Sequence, residues 1–147
     1  MDKKLESRLL AKGIGEIGGI LSYWVALLLP SKAYEETIET TCTKDLANNI
    51  NVALLKIGSV IPECPSDINA AKFCALVGSG RKNMNPSILY VDLDLASNPC
   101  ALSARCVAKE GLINQNSSQK TIQRFKHSLK ELMPNNTFKA TPKSGAP

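Results

Sequence analysis

Hydrophobic and polar positions change rhythm several times along this chain. The first rhythm is a thirteen-residue apolar run, Ile17–Leu29 (IGGILSYWVALLL), set between Glu16 and Pro30. Reaching back from it, Leu5, Leu9, Ile14, Ile17, Leu21, Trp24 and Leu28 recur at steps of three to five residues. That spacing marks one face of a helix. Lys4, Arg8, Lys12 and Glu16 fall mostly off the stripe. The pattern predicts one long amphipathic helix whose C-terminal end is its most apolar part. At about 1.5 Å per residue, the run falls short of the roughly 20 residues that cross a bilayer core. Extending it to Gly13 would place Glu16 in hydrocarbon, which is costly.

Beyond Pro30 the rhythm shortens. Tyr34–Thr41 is polar but rich in β-branched residues and reads as a strand. Thr43 is a candidate N-cap for a helix over Asp45–Val60, whose stripe is Leu46, Ile50, Ala53, Leu54, Ile57 and Val60. Pro62 ends it, and Glu63–Asp67 is a turn-rich connection. Ala71–Val77 reads as a second strand. Ile88–Leu95 (ILYVDLDL) alternates strictly: Leu89, Val91, Leu93 and Leu95 point one way, Tyr90, Asp92 and Asp94 the other. One face of this strand is buried and the other wet. Asn98-Pro99 is a turn, Cys100–Lys109 is the last strand, and Gly111–Ser118 a loop. Ser118 is a candidate cap for a helix over Gln119–Met133 with the stripe Ile122, Phe125, Leu129 and Leu132.

These elements predict an α+β fold. An N-terminal amphipathic or hydrophobic helix precedes a β-α-β-β-β-α two-layer sandwich, with helices on one face of an antiparallel sheet. The other sheet face carries Tyr90, Asp92, Asp94 and Arg105, covered by solvent, by a partner or by the N-terminal helix. The chain divides into that helix (1–33), the core domain (34–133) and a polar, flexible tail (134–147) rich in Pro, Asn and Lys.

Composition changes this picture in three places. Aromatic residues make up 5% of the 147 positions, too few for a base-stacking or sugar-binding platform. The formal net charge is +5, and it is concentrated late. From Lys109 onward seven Lys/Arg face Glu110 and Glu131 alone. A basic end of this kind suits phosphates or anionic lipid head groups, with Lys120, Arg124, Lys126 and Lys130 as candidate anion-binding residues. They spread round the predicted helix as a diffuse field, and sequence-specific nucleic-acid reading is disfavoured. The five cysteines, Cys42, Cys64, Cys74, Cys100 and Cys106, show no C-x-x-C spacing. Most of them, such as Cys74 and Cys106, sit in apolar neighbourhoods and read as small buried hydrophobes. With His127 the only histidine, they do not form a metal motif.

Candidate chemistry is sparse. Asp92 and Asp94 share a strand face, but two carboxylates do not make a cation site. Gly78-Ser79-Gly80-Arg81-Lys82 could cradle an anion, although the same residues suit a plain hairpin loop. A cysteine nucleophile would need His127 as its base, and His127 falls off the apolar stripe. Asn116-Ser117-Ser118 and Asn135-Asn136-Thr137 fit the glycosylation acceptor pattern. The sequence points to no enzyme and no cofactor, and assigns no small-molecule ligand.

The expectation is a small non-enzymatic interaction module. It docks on a protein partner, a second copy or a membrane surface through its N-terminal helix, with Ile17, Leu21, Trp24 and Leu28 as docking residues. One alternative is anion binding, to nucleic acid or acidic lipid, through the basic C-terminal helix. Another is a secreted or periplasmic domain with one or two disulfides, cut after Ala33: the basic front, apolar core and Ser31-Lys32-Ala33 follow signal-peptide grammar. Uncut, the chain reads as cytoplasmic with membrane association.

Overall fold

The computed structural model describes residues 3–61, 70–78, 86–109 and 116–142. Residues 79–82 of the candidate anion loop, the turn at 63–67 with Cys64, and most of the 111–118 loop lie outside them, as does the side chain of Ile17. The element order is α1 (Lys3–Leu28), β1 (Ser31–Thr40), α2 (Leu46–Ile57), β2 (Ser59–Val60), β3 (Ala70–Val77), β4 (Ser87–Asp94), β5 (Cys100–Lys109), α3 (Ser117–Leu132) and β6 (Lys139–Pro142). The strands form one antiparallel sheet in the order β2-β3-β4-β5-β1-β6. This is the α+β architecture expected, with a helix preceding the sheet.

Strand alternation sorts the sheet into two faces. Ile38 of β1, Ala75 and Val77 of β3, Leu89, Val91 and Leu93 of β4, and Leu102, Ala104 and Cys106 of β5 all point to one side. There they meet Leu46, Ile50, Ala53, Leu54 and Ile57 of α2 and Ile122, Phe125 and Leu129 of α3. Both helical stripes are therefore the ones the 3.6-residue period marks, except that α2 ends at Ile57 and Val60, expected on its stripe, lies in β2. The opposite face presents Cys74, Ile88 and Val107, and Leu10 of α1 is buried against them. Of the three covers open to that face, the N-terminal helix is the one found over this part, which makes a third layer. Asp92 and Asp94 stay exposed, and Asp94 Oδ1 accepts the Ala96 N–H at 2.9 Å, closing the turn after β4.

Several boundaries differ from expectation for local reasons. Strand β1 starts at Ser31, inside the segment assigned to the N-terminal helix, because Ser31, Lys32 and Ala33 pair with Lys109, Ala108 and Val107. The tail expected to be flexible carries β6, which pairs Lys139–Pro142 with Glu39–Glu36. An open strand edge recruits a polar segment through backbone bonds alone, whatever its side chains. Neither expected N-cap forms. Thr43 contributes its carbonyl, not its hydroxyl, to the start of α2 (Leu46 N–H, 3.1 Å). Ser118 lies inside the first turn of α3, after Asn116 in the left-handed region (φ 51°), and its hydroxyl donates instead to the Lys32 carbonyl at 3.1 Å.

Two of the cysteines form a disulfide: Cys42, exposed beyond β1, bonds Cys100 at the start of β5, while Cys74 and Cys106 are free and buried. The strand register explains the encounter, since Thr40 lies directly opposite Cys100.

Candidate interaction surface

Helix α1 touches the body differently at its two ends. In its first half Glu6, Leu10 and Ala11 are buried. Glu6 Oε1 accepts a charge-assisted hydrogen bond from Arg105 Nη1 at 3.0 Å. The Arg105 guanidinium also lies 5.5 Å from the centre of the Tyr90 ring. Burial, and then the neighbouring Glu6 carboxylate, push the Tyr90 hydroxyl well above its ordinary pKa. That hydroxyl is buried beside Glu6 without a hydrogen bond of good geometry. Among the described side chains of the second half, Ala26 is the buried one. The helix end is then held from β5, where Lys109 Nζ donates to the Leu29 carbonyl at 2.8 Å. Burial disfavours the Lys109 ammonium and lowers its pKa.

The unusual feature lies between these anchors. Leu10 and Leu28 are about five helical turns apart and so occupy the same position on an ideal wheel. Leu10 is 0% exposed and Leu28 is 87% exposed. The apolar face that packs on the sheet runs on past it into solvent. The buried Ala26 sits about 160° round the wheel from Leu10. The second half of α1 therefore turns a small side chain inward and its large ones outward. Ile20, Leu21, Trp24, Val25 and Leu28 are all exposed, from 53% at Val25 to 87% at Leu28.

Three of the four docking residues named from sequence, Leu21, Trp24 and Leu28, thus share one exposed patch; the side chain of Ile17 is outside the description. Ile20 and Val25 were missed. They flank Leu21 and Trp24 at i−1 and i+1 and widen the stripe to about 140° of the wheel, beyond the narrower arc that Ile17, Leu21, Trp24 and Leu28 trace.

The four candidate anion-binding residues on α3 are not brought together. Arg124 Nη1 donates to the Gly78 carbonyl at 2.7 Å, steadying the end of β3. Lys126 Nζ lies 2.7 Å from Oε1 of the buried Glu36, while Glu36 Oε2 has no hydrogen-bond partner. Lys120 and Lys130 are exposed. Lys126 and Lys130 line a shallow cleft of about 470 Å³ with Gln123, His127, Asn136, Thr137 and Phe138. Within it Lys126 pairs with Glu36, and His127 Nε2 lies 3.3 Å from Oε1 of Glu131, whose Oε2 is 3.5 Å from Lys56 Nζ.

Elsewhere, a buried polar nest joins β4, β5 and α3. The Ser87 and Thr121 hydroxyls are 2.8 Å apart, and Ser87 Oγ also donates to the Val77 carbonyl at 3.2 Å. Burial pushes the Cys106 thiol there up to about 12, against the pull of the Ser87, Thr121 and Ser118 hydroxyls. A thiol in that state is packing, not a nucleophile. Among the described residues no group of three or more His, Cys, Asp or Glu gathers to hold a metal ion. Among them, too, no helix is long and apolar enough to cross a membrane. Compared with known proteins, the chain matches no family model and no curated protein.

Proposed function

We propose that this chain is a small non-enzymatic interaction module that docks through the outward face of the second half of α1. The observation that carries this reading is the contrast between Leu10 and Leu28, one face of one helix first buried and then bare. Single exposed apolar residues are ordinary on protein surfaces. Five large ones grouped on two and a half turns mark a contact surface. The N-terminal half of α1 acts as the clamp, through Leu10 and the Glu6–Arg105 pair, and presents the C-terminal half.

The non-enzymatic part of the reading is supported by the exposed, Glu131-paired His127 and by the inert setting of Cys106. Anion capture through α3 is the weaker alternative, since Arg124 and Lys126 are spent on internal contacts. Cleavage after Ala33 is also the weaker alternative. It would cut β1 within its paired region and remove the helix that covers Cys74, Ile88 and Val107. The Cys42–Cys100 bond favours an oxidising compartment.

Leu21→Glu/Leu28→Glu tests the reading, because both side chains are exposed and the fold should tolerate the charge. Wild-type protein should associate, with itself or with lipid vesicles, in sizing and flotation measurements. The double variant should do so at least tenfold less. Identical behaviour of the two proteins in both measurements would remove the proposal.

A further inference from the structure

Resting on the reading of α1 as the docking element, we infer that its occupant is the surface of an anionic phospholipid bilayer. Length comes first. The exposed stripe from Ile20 to Leu28 covers about 12 Å of helix. That is far too short to span hydrocarbon but suited to lying in the plane of the interface. Every large side chain on this face is apolar, so immersion to the depth of one side chain desolvates little polar surface.

Charge then separates the occupants. Among the described side chains of α1, every exposed charge is basic: Lys3, Lys4, Arg8 and Lys12. The described acid, Glu6, is buried against Arg105. Lys32 stands exposed just beyond the C-terminal end. With Glu6 engaged by Arg105, the sequence flanking the stripe sets Lys3, Lys4, Arg8, Lys12 and Lys32 against Asp2 and Glu16, so it is net positive. A second copy would bring the same cations against these. Anionic head groups complement them, and long Lys and Arg stems can reach such groups while their neighbours immerse.

Tyr23 and Trp24 add a third observation. Their rings stack edge to face with centroids 5.7 Å apart. Trp24 lies at the middle of the exposed stripe with the half-buried Tyr23 beside it, and amphipathic rings of this kind are favoured at the membrane–water boundary. The helix would lie on the bilayer by its second half, while its first half keeps the protein body attached.

Trp24 is the chain's single tryptophan, so its fluorescence reports on this surface alone. Full-length protein is titrated with vesicles of phosphatidylcholine, and of phosphatidylcholine with about a quarter phosphatidylglycerol. The anionic vesicles should shift Trp24 emission to the blue, expose it to quenching by brominated lipid chains and carry the protein in flotation. Binding should be at least tenfold weaker to neutral vesicles and should fall steeply with added salt. Arg8→Glu/Lys12→Glu should remove the preference for anionic vesicles, and Leu21→Glu/Leu28→Glu should remove binding to both. Equal affinity for the two vesicle types, or none for the anionic ones, overturns the lipid assignment. If vesicles fail while sizing shows a concentration-dependent oligomer that Leu21→Glu/Leu28→Glu dissolves, the docking surface stands and its occupant is a second copy. If neither occurs, both readings fall.

Discussion

Glu6 and Arg105 are 99 residues apart in sequence and meet at 3.0 Å where α1 crosses β5. The burial is unequal: 7% of the Glu6 side chain is exposed against 38% of Arg105. Removing the arginine strands a buried carboxylate, whereas neutralising the glutamate leaves a cation that can turn to water. Arg105→Ala should cost about 2–3 kcal/mol and Glu6→Gln about 1 kcal/mol. Urea unfolding of the two variants checks the order as well as the sizes. Equal costs would mean that the carboxylate is better solvated than this contact implies.

The Cys42–Cys100 bond joins residues 58 apart and encloses α2, β2, β3 and β4 in one loop. Cross-linking a loop of that length restricts the unfolded chain, and a loss of about 2–4 kcal/mol is expected on reduction. The replacement Cys42→Ser/Cys100→Ser should unfold at the same urea concentration with or without reductant. Wild type should match it only when reduced.

Helix α3 shows what a sequence displays plainly. Ile122, Phe125 and Leu129 lie on one face because a helix has a single period, and that face is buried. The alternation in β4 is equally visible and is obeyed by Leu89, Val91 and Leu93, but Leu95, expected on the same buried face, lies past the strand end and is 53% exposed. What stayed hidden depends on distance partners. Strand β6 has no periodic signature, since Lys139–Pro142 is exposed throughout and held by backbone pairing with β1. The disulfide follows from the Thr40–Cys100 register, which cysteine spacing does not encode. The wheel of α1 shows an apolar face, but the fully buried residue is Leu10, while Leu9, placed on the stripe from spacing, is only partly buried. Leu10 and Leu28 share a wheel position and are told apart by the fold alone. Lys126 likewise falls beside the α3 stripe in sequence, yet reaches down to Glu36.

The Cys106 thiol gives a pH signature. Burial raises its pKa from 9.0 to about 12, so the folded protein holds this proton where the unfolded chain has lost it. Its contribution to stability is complete below pH 9 and declines as pH rises from there through about 12. The buried Tyr90 hydroxyl adds loss of the same sign, while Lys109, lowered by burial, acts in the opposite sense. Cys106→Ser isolates the thiol, because serine fits among the Ser87, Thr121 and Ser118 hydroxyls and does not titrate. Urea midpoints followed from pH 8 to pH 11 should fall more steeply for wild type than for the variant. At neutral pH, iodoacetamide should leave Cys106 unmodified in the folded protein and alkylate it in urea.

Gly58 joins α2 to β2 and sets the height of the helix above the sheet. Its N–H donates to the Leu54 carbonyl at 2.9 Å, closing the last turn of α2. The chain then passes directly into the short pairing of Ser59 with Leu76. Its backbone is extended (φ −170°, ψ −159°), so any residue could adopt the conformation; the constraint is space. A β-carbon at this position would overlap the Leu76 carbonyl oxygen and stand 3.0 Å from both the Leu76 carbonyl carbon and Val77 Cγ2. Two of those three atoms are backbone of a paired strand, which cannot rotate away as a side chain tip can. Gly58→Ala should therefore displace β2 from β3 and lift the end of α2, where Ile57 packs into the core, at a cost of about 1–3 kcal/mol. The gain in backbone rigidity that alanine brings, under about 1 kcal/mol, is too small to offset the clash. Urea unfolding measures the loss. Amide exchange should locate it, with faster exchange at Ile61, whose N–H bonds the Cys74 carbonyl at 2.8 Å, and little change at the β4–β5 pairing. An unchanged midpoint would show that β3 yields at Leu76 more readily than a paired strand should.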